Sequence, residues 1–372
     1  MIGGLENYVY NLSRNQVLHG YDVTILTLNR DFITNNKLSA YEAHTSGVKI
    51  IRIPFFFSKK YPVAPSVYNY LKIYDLINVH AVDFFADFIA LTKIFHKKKI
   101  ILTTHGGYFH TKWGHIFKKF YFATVTKFVL KLYDQLIGCS DNDLTIFKKI
   151  NDKIIIIENG VDIEPYLNTP KNAQKGELLY VGRLDHHKRI DLLIRIIARL
   201  NEKGYSAKLN IVGPDCKNLS CGLTNYAKKL NVQNNISFKG KVSEGELKDL
   251  YSSAFIFVSA SEYEGFGISV IEAMASGTLC VLNRIPSFEK FLKNNSFGYL
   301  CNFSDQEETA DIISGMLKTD ELTYKKLSQA ARNYSGNYSW KSVINKYNEI
   351  YNKLLLHILI ILMPLFAKLM IY

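Results

Sequence analysis

Two glutamates stand at a spacing that suits a phosphorylated ligand. Glu264 and Glu272 are separated by seven residues, with Gly265 and Gly267 beside the first of them. Glycines let a backbone approach a ligand closely, and the first amides of a following helix favour an anion. We expect a diphosphate at this loop, with the Glu272 carboxylate accepting hydrogen bonds from the vicinal hydroxyls of a ribose. Taken alone, the segment could equally be a capped helix with two solvated glutamates.

A second loop carries the cations Arg183 and Lys188, which follow the apolar run at residues 178–181. A guanidinium and an ammonium can neutralise a departing nucleotide diphosphate without bound Mg²⁺, because they place fixed positive charge where negative charge develops. As a solvated basic turn, the same residues would carry no chemistry.

One motif points instead to a metal. Asp141 and Asp143 have the D-x-D form that can hold a divalent cation against a diphosphate. Ser140, however, stands three residues before Asp143, which is the pattern of an N-terminal helix cap. We favour the cap and predict no catalytic metal.

The elements that must position these loops follow from the apolar pattern. Short β-branched runs alternate with longer amphipathic stretches, which predicts an α/β fold with helices covering parallel sheets. A chain of 372 residues is too long for one ordinary core. The predicted strands are 22–27, 48–54, 76–80, 99–104, 135–139 and 153–157, then 178–181, 208–212, 236–239, 255–259, 278–282 and 298–301.

A polar run at residues 168–175, containing Pro170, separates the two series of strands and is typical of a linker. We therefore place one doubly wound, Rossmann-like domain at residues 1–165 and a second at 166–335. We expect a cleft facing the carboxyl ends of both sets of strands, where open α/β sheets bind ligands.

Charge narrows the choice of partner. The formal net charge is +13, and nine lysines lie between Asp87 and Asp134 without an intervening acidic residue. Nucleic acid, an anionic membrane surface or a phosphorylated substrate could balance such charge. No nucleic-acid reading motif accompanies it, so we predict no nucleic acid partner. The aromatic and basic stretch 115–131 suits a membrane surface, with a solvated helix face as the alternative.

The ends of the chain carry two further signals. Glu6, Asn7 and Asn11 interrupt any secretory signal, and five cysteines without a C-x-x-C pair fit a reducing cytoplasm. We expect a cytoplasmic protein, peripheral on the inner face of the membrane. The apolar tail from Leu354 to Tyr372 predicts a buried terminal helix, with a membrane-associated or an aberrant tail as alternatives.

Together, the two loops resemble those of retaining glycosyltransferases of family 4, which have the GT-B fold. The resemblance covers nearly the whole chain. Four shorter segments match in the family's order: Gly3 to Asn7, Thr104 to Gly107, Gly138 to Ser140, and Asn159 to Asp162. Residues 336–353, with Trp340 to Tyr351, resemble the family's last helix, which crosses back onto the first domain and leaves 354–372 as a tail.

The resemblance also implies the roles of particular residues. Arg183 and Lys188 bind the donor diphosphate, and Glu272 binds the ribose. Glu264, with the amides of Phe266 and Gly267, binds the transferred sugar. His105 contacts the sugar or acceptor beside the reacting carbon, although a lone histidine after a strand is more often a satisfied loop residue. The catalytic set is therefore His105, Glu264, Arg183 and Lys188, and the other donor contacts are Gly3, Gly4, Gly182, Gly265 and Ile268.

The implied activity is transfer of a hexose from a nucleotide-diphosphate sugar to a glycan or lipid-linked saccharide of cell-surface polysaccharide or lipopolysaccharide. No cofactor beyond the donor is expected. Residues 262–275 and 283–286 resemble mannosyltransferases of exopolysaccharide assembly, which favours GDP-mannose over UDP-glucose or UDP-N-acetylglucosamine. The alternatives are an inactive membrane-associated remnant and a sugar-nucleotide epimerase of the same fold.

The resemblance breaks at the first strand. The family begins with a β-strand before the glycine loop, whereas here Gly3 is already the third residue. That strand is central in a doubly wound sheet, so its loss would leave two neighbouring strands without hydrogen-bond partners. We therefore expect an incomplete first sheet, either in a fragment or in a poorly folding remnant.

Overall fold

The computed structural model describes residues 4–32, 35–44, 46–58, 61–105, 121–359 and 368–371. The chain divides into two compact units. The first unit comprises Met1–Gly160 together with Trp340–Tyr372, and the second unit comprises Val161–Ser339. The domain boundary that we placed near residue 165 falls within a short helix at the start of the second unit.

The predicted α/β class is confirmed by the described elements. The strands are β1 Asp22–Leu28, β2 Tyr41–Ala43, β3 Lys49–Ile53, β4 Phe56–Ser58, β5 Tyr61–Val63, β6 Leu76–His80, β7 Lys99–Thr103, β8 Gln135–Gly138, β9 Ile154–Ile156, β10 Gln174–Val181, β11 Lys208–Val212, β12 Ile236–Gly240, β13 Ala254–Ser259, β14 Leu279–Asn283, β15 Gly298–Cys301 and β16 Lys368–Ile371.

The α-helices of the described residues alternate with these strands. They are α1 Gly4–Leu18, α2 Tyr68–Leu71, α3 Phe84–Leu91, α4 Lys93–His96, α5 Lys127–Leu130, α6 Asp141–Phe147, α7 Glu164–Leu167, α8 Ile190–Glu202, α9 Leu219–Lys229, α10 Glu244–Ser253, α11 Ile268–Ala275, α12 Pro286–Leu292, α13 Gln306–Leu317, α14 Glu321–Ser335 and α15 Trp340–Leu359. Within the described part of the chain, no helix combines the length and apolar character needed to cross a membrane.

The first unit is built on a sheet in the order β2-β3-β1-β16-β6-β7-β8-β9, in which only β2 runs antiparallel to its neighbour. Each residue of β6 is buried, as expected of a parallel strand covered on both faces. Helices α1 and α15 pack together, and the hydroxyls of Tyr8 and Tyr347 are 3.0 Å apart. This packing places α15 in the first unit, although it follows the whole second unit in the chain.

The central position expected to be vacant is filled by the C-terminal tail. Strand β16 lies between β1 and β6 and runs parallel to both, with Lys368 opposite Asp22 and Leu369 opposite Leu76. The expectation of unpaired neighbours was therefore wrong. The terminal helix continues only to Leu359, and the described residues beyond it form a strand. Backbone groups of β1 and β6 need partners, and a short apolar segment in extended conformation can supply them.

The second unit contains a parallel sheet in the order β12-β11-β10-β13-β14-β15. The chain builds outward from β10 in one direction and then returns to build outward from β13 in the other. Strands β10 and β13 are therefore neighbours at the point where the strand order reverses. Loops that leave the carboxyl ends of two such strands form the usual ligand crevice of an open α/β sheet.

Part of the polar run that we interpreted as a linker is built into this second sheet. Strand β10 begins at Gln174, within the run. The Lys171 ammonium donates hydrogen bonds to the carbonyl oxygens of Tyr251 at 2.7 Å and Ala254 at 2.6 Å. Because a buried ammonium requires acceptors, these bonds fasten the segment to the sheet.

We predict that β16 stabilises the first unit. Met370→Pro removes a backbone donor from a strand with neighbours on both sides, and each orphaned buried carbonyl costs roughly 1–3 kcal/mol. Both tryptophans, Trp113 and Trp340, belong to the first unit, so urea unfolding followed by tryptophan fluorescence reports on it. We expect a lower unfolding midpoint for Met370→Pro and little change for the control Met370→Leu. Equal midpoints for the proline variant and the parent would contradict a stabilising role.

Candidate functional site

Two loops of the second unit are fastened together at the crevice. One follows β10 and the other follows β13. The amide of Glu262 donates to the carbonyl oxygen of His187 at 2.8 Å, and the Arg189 guanidinium donates to the Glu262 carboxylate at 2.6 Å. The two loops that we singled out from the sequence therefore form one continuous surface.

At the centre of this surface lies an ion pair between Lys188 and Glu264. The Lys188 side chain is only 11% exposed, and its ammonium donates to Oε1 of Glu264. The Ser261 hydroxyl donates to the same oxygen at 3.0 Å. Burying an ammonium is costly unless a counter-charge accompanies it, so Glu264 stabilises Lys188 in this position.

The helix that follows presents its amino terminus beside this pair. Gly267 has a φ of +96°, a left-handed conformation that disfavours other residues, and α11 begins at the next residue, Ile268. Phe266 is buried against the rings of Phe291 and Tyr338, which anchors the loop. The first amides of a helix lack helical acceptors and favour an anion, so the diphosphate expected at this loop stays a prediction.

Glu272 lies one turn into α11 and is held by two tyrosines. The Tyr251 hydroxyl donates to Oε2 of Glu272 at 2.9 Å, and Tyr166 forms a second hydrogen bond to the same carboxyl group. Burial raises the pKa of the Glu272 carboxyl to about 7, and the two phenols oppose that shift. The carboxyl group is thus fixed in orientation but readily protonated near neutral pH.

Arg183 is placed differently from Lys188. It lies in the loop after β10, but its side chain is exposed and forms no ion pair or side-chain hydrogen bond with the described residues. Gly182 precedes it, and a Cβ there would lie 2.7 Å from the Tyr180 hydroxyl. The structure therefore brings Lys188 and Glu264 into contact, whereas Arg183 shares their loop without a partner.

His105 belongs to the first unit. It follows β7 with a φ of +47°, which is uncommon for a residue other than glycine. Its Nε2 lies 2.7 Å from Nδ1 of His80, and its Nδ1 lies 3.7 Å from Sγ of Cys139. Gly4 is the first residue of α1, whereas Gly3, Gly106 and Gly107 lie outside the described residues.

The D-x-D segment is a helix cap, as predicted. The Ser140 hydroxyl accepts a hydrogen bond from the Asp143 amide at 3.3 Å, at the start of α6. The Asp143 carboxylate is buried and accepts a hydrogen bond from the Cys139 amide at 2.9 Å. Asp143 thus has a structural role at the carboxyl end of β8.

Sequence reasoning missed three residues at these sites: Tyr166, Tyr251 and His80. Each lies far along the chain from the side chain that it contacts, so no local spacing could connect them. One signal was available for His80, which ends a predicted strand beside the strand that leads to His105. Adjacent parallel strands bring their carboxyl ends together.

Models of two glycosyltransferase families match almost the whole chain. Residues 2–165 match the family described as Glycosyltransferase Family 4, and residues 168–334 match Glycosyl transferases group 1. Two relatives are each a GDP-mannose:cellobiosyl-diphosphopolyprenol alpha-mannosyltransferase. The protein of Komagataeibacter xylinus is 31% identical over 95% of this chain and 90% of its own length. The protein of Xanthomonas oryzae pv. oryzae is 30% identical over 94% of this chain and 93% of its own length.

Solved structures share the fold at lower identity. A glycosyltransferase from Rickettsia africae superposes with a TM-score of 0.72 at 23% identity, over 95% of each chain. The Anabaena protein HepE, in complex with UDP, superposes with a TM-score of 0.71 at 16% identity, over 95% of this chain and 97% of its own.

We predict that the two phenols set the titration of Glu272. Tyr251→Phe removes a hydrogen-bond donor that favours the charged carboxylate, so the Glu272 pKa should rise further above its parent value of about 7. Carboxyl ¹³C chemical shifts, with Glu272→Gln to assign the resonance, measure the change. Tyr226→Phe, which alters a phenol beside Arg195, is the control.

The raised pKa of Glu272 also determines how this residue changes the stability of the fold with pH. Because the folded pKa of Glu272 exceeds the ordinary value of 4.5, its contribution favours the folded state at low pH and is lost as pH rises through about 7. A Glu272 resonance that titrates near 4.5 in the parent would contradict the buried, phenol-held carboxyl group.

Proposed function

The chain belongs to the family 4, group 1 glycosyltransferases of GT-B fold, and from this premise we propose that it transfers mannose from GDP-mannose to a lipid-linked saccharide with retention of configuration. Hexosyl transfer is the chemistry of the family, whereas the donor, the acceptor and the site roles are the proposal. The two relatives described above support GDP-mannose and a saccharide linked through diphosphate to a polyprenol. Mannose is α-linked in GDP-mannose, so an alpha-mannosyl product keeps its configuration.

The observation that carries the proposal is the buried Lys188–Glu264 pair at the amino terminus of α11. Without a donor, the ammonium and the carboxylate satisfy one another. When a nucleoside diphosphate binds, Lys188 can exchange its carboxylate partner for phosphate oxygens. Glu264 is then released to accept hydrogen bonds from hydroxyls of the sugar. The pair therefore keeps both groups in place until the donor replaces their mutual contact.

Arg183 and α11 complete the binding of the diphosphate. The exposed guanidinium has no partner among the described side chains, so it can form a bidentate contact with phosphate. The first amides of α11 add fixed partial positive charge. As the glycosidic bond to phosphate breaks, negative charge grows on the departing GDP, and these groups stabilise it without reorganising.

Glu272 suits the ribose of the donor. Its carboxyl group is oriented by Tyr251 and Tyr166, leaving its remaining lone pairs for two vicinal hydroxyls. An ionised carboxylate accepts both hydrogen bonds, whereas a protonated one has less acceptor capacity. Donor affinity should therefore follow the ionisation of Glu272.

The transfer requires no protein nucleophile. The acceptor hydroxyl oxygen forms a bond to the anomeric carbon while the bond from that carbon to the phosphate oxygen breaks. The leaving phosphate oxygen takes the acceptor's proton, so the products are the mannoside and GDP. Lys188 and Arg183 supply the positive charge that a metal supplies in other diphosphate sites, which is why we propose metal-independent transfer.

The first unit offers a surface for the acceptor's lipid environment. Leu91, Ile94 and Phe128 line a groove of about 370 Å³, and each of these side chains is at least half exposed. Phe95, the residue after Ile94, is also more than half exposed. Four lysines line the same groove: Lys93, Lys97, Lys98 and Lys99. Insertion of apolar side chains and attraction of lysines to anionic headgroups contribute separately to the free energy of membrane binding. We therefore propose that this surface contacts an anionic membrane. It includes Phe128 of the predicted stretch 115–131, of which residues 115–120 lie outside the described residues.

A panel of nucleotide sugars tests the donor assignment. Purified protein is incubated with GDP-mannose, UDP-glucose or UDP-N-acetylglucosamine and a disaccharide linked through diphosphate to a polyprenol. We expect transfer from GDP-mannose, with the other donors at least roughly hundredfold slower, and an α-linkage by NMR. EDTA should have little effect, whereas strong inhibition would argue for a metal. Faster transfer from either UDP-sugar would overturn the donor assignment.

Vesicle binding tests the membrane surface. Lys97 and Lys98 form no ion pair with the described residues. The double variant Lys97→Ala/Lys98→Ala therefore removes two charges and breaks no ion pair among them. Each lysine near an anionic surface contributes about 1 kcal/mol, so sedimentation with phosphatidylglycerol vesicles should weaken roughly tenfold or more. Lys228→Ala/Lys229→Ala in the second unit is the matched control. Equal binding by both double variants would exclude this surface.

A further inference from the structure

Two histidines meet at the carboxyl edge of the first unit's sheet. His80 ends β6, and His105 follows the adjacent strand β7. Their rings are 5.0 Å apart between centroids and inclined by 30°, and Nδ1 of His80 lies 2.7 Å from Nε2 of His105. This distance is that of a hydrogen bond between the two rings.

The other sides of the His105 ring are also occupied. Its Nδ1 faces the Cys139 sulfur at 3.7 Å, at the end of β8. Tyr8 of α1 packs edge-on against the ring, with centroids 4.8 Å apart, and its hydroxyl contacts Tyr347. Three neighbouring strands and α1 therefore fix the ring, and the left-handed backbone of His105 turns it toward them.

Both histidines are neutral at physiological pH. Burial lowers the pKa of His105 to about 4 and, with the nearby His105 ring, lowers the pKa of His80 well below its usual value. Among the residues that the structure describes, the titratable groups that face the pair are Cys139 and Tyr8, with Tyr347 beyond Tyr8. Because both rings are neutral, one of the two facing nitrogens carries a proton and donates it to the hydrogen bond, and the other nitrogen accepts.

The position of that proton follows from the far side of His80. Its Nε2 is buried and has no hydrogen-bond partner among the described residues. A buried N–H without an acceptor is rare and costly, whereas an imine-type nitrogen there leaves only a lone pair unused. The His80 proton is therefore on Nδ1 and is donated to Nε2 of His105. The His105 proton is then on Nδ1 and points toward Cys139.

We propose that His80 is a positioning residue that holds His105 as a neutral ring in its Nδ1–H tautomer. The proposal rests on the role given above to His105 near the reacting sugar. Both ring nitrogens of His105 are engaged by the protein, so neither is available to take the acceptor's proton. His105 acts through its fixed shape and position, and the acceptor's proton goes to the leaving phosphate.

Asparagine and leucine at position 80 separate positioning from packing. The amide nitrogen of His80→Asn can occupy the position of Nδ1 and donate to His105, whereas His80→Leu has a volume similar to that of histidine and no donor. We expect the mannose transfer kcat to fall roughly tenfold or more in His80→Leu, with KM for GDP-mannose unchanged, and to return within about threefold of the parent in His80→Asn. Equal loss in both variants would overturn the proposal.

Imidazole ¹⁵N spectra of the full chain provide a readout that does not depend on turnover. With His105→Gln to assign the signals, His105 of the parent should show one Nδ1–H tautomer and no titration between pH 5.5 and 8. His80→Leu should give a mixture of tautomers. A parent His105 that titrates near 6.5, or carries its proton on Nε2, would overturn the proposal even if His80→Leu does not fold. A locked tautomer without mannose transfer would instead refute the proposed function alone.

Discussion

A buried ammonium needs acceptors in place of water, and at Lys188 the acceptor is a carboxylate counter-charge that holds two loops of the second unit together. Lys188 is almost wholly enclosed, and Glu264 supplies the charge that makes its burial tolerable. The contact requires the loops after β10 and β13 to lie side by side, which the reversal of strand order at these two strands provides. The Glu262–His187 and Arg189–Glu262 hydrogen bonds then fix the loops. We propose that the donor diphosphate takes Glu264's place beside Lys188.

The first unit depends on a different constraint, the pairing of every strand in a parallel sheet. Strand β16 occupies the position between β1 and β6, and β6 carries His80 at its carboxyl end. The segment at the end of the chain therefore supports the strand that places His80 beside His105. Since β7 is the next strand across, a shift of β6 would change the separation of the two rings. The pairing of β16 with β6 and the position of His105 are therefore linked through backbone hydrogen bonds within one sheet.

Much of the fold followed from the sequence because its signals are local. The run at 76–80 coincides with β6, and the glycine loop before Glu272 coincides with the start of α11. The tail was misjudged because an apolar run gives no information on which distant strands it will join. Glu272 was found by its spacing from Glu264, whereas Tyr251 and Tyr166 became visible only once folding brought their hydroxyls to its carboxyl group. Arg183 was expected among the converging side chains, but nothing local to the loop predicts that its side chain is exposed.

The most direct test of the central claim is the affinity for GDP, measured by calorimetry in Lys188→Met, Glu264→Gln and the double variant. GDP carries the diphosphate but lacks the mannose that is transferred, so it competes with Glu264 for Lys188 and gains nothing from Glu264 itself. The account predicts that Glu264→Gln tightens GDP binding roughly tenfold in the parent background and has no effect once Lys188 is methionine. Weaker binding in Glu264→Gln, by the same factor in both backgrounds, would contradict it.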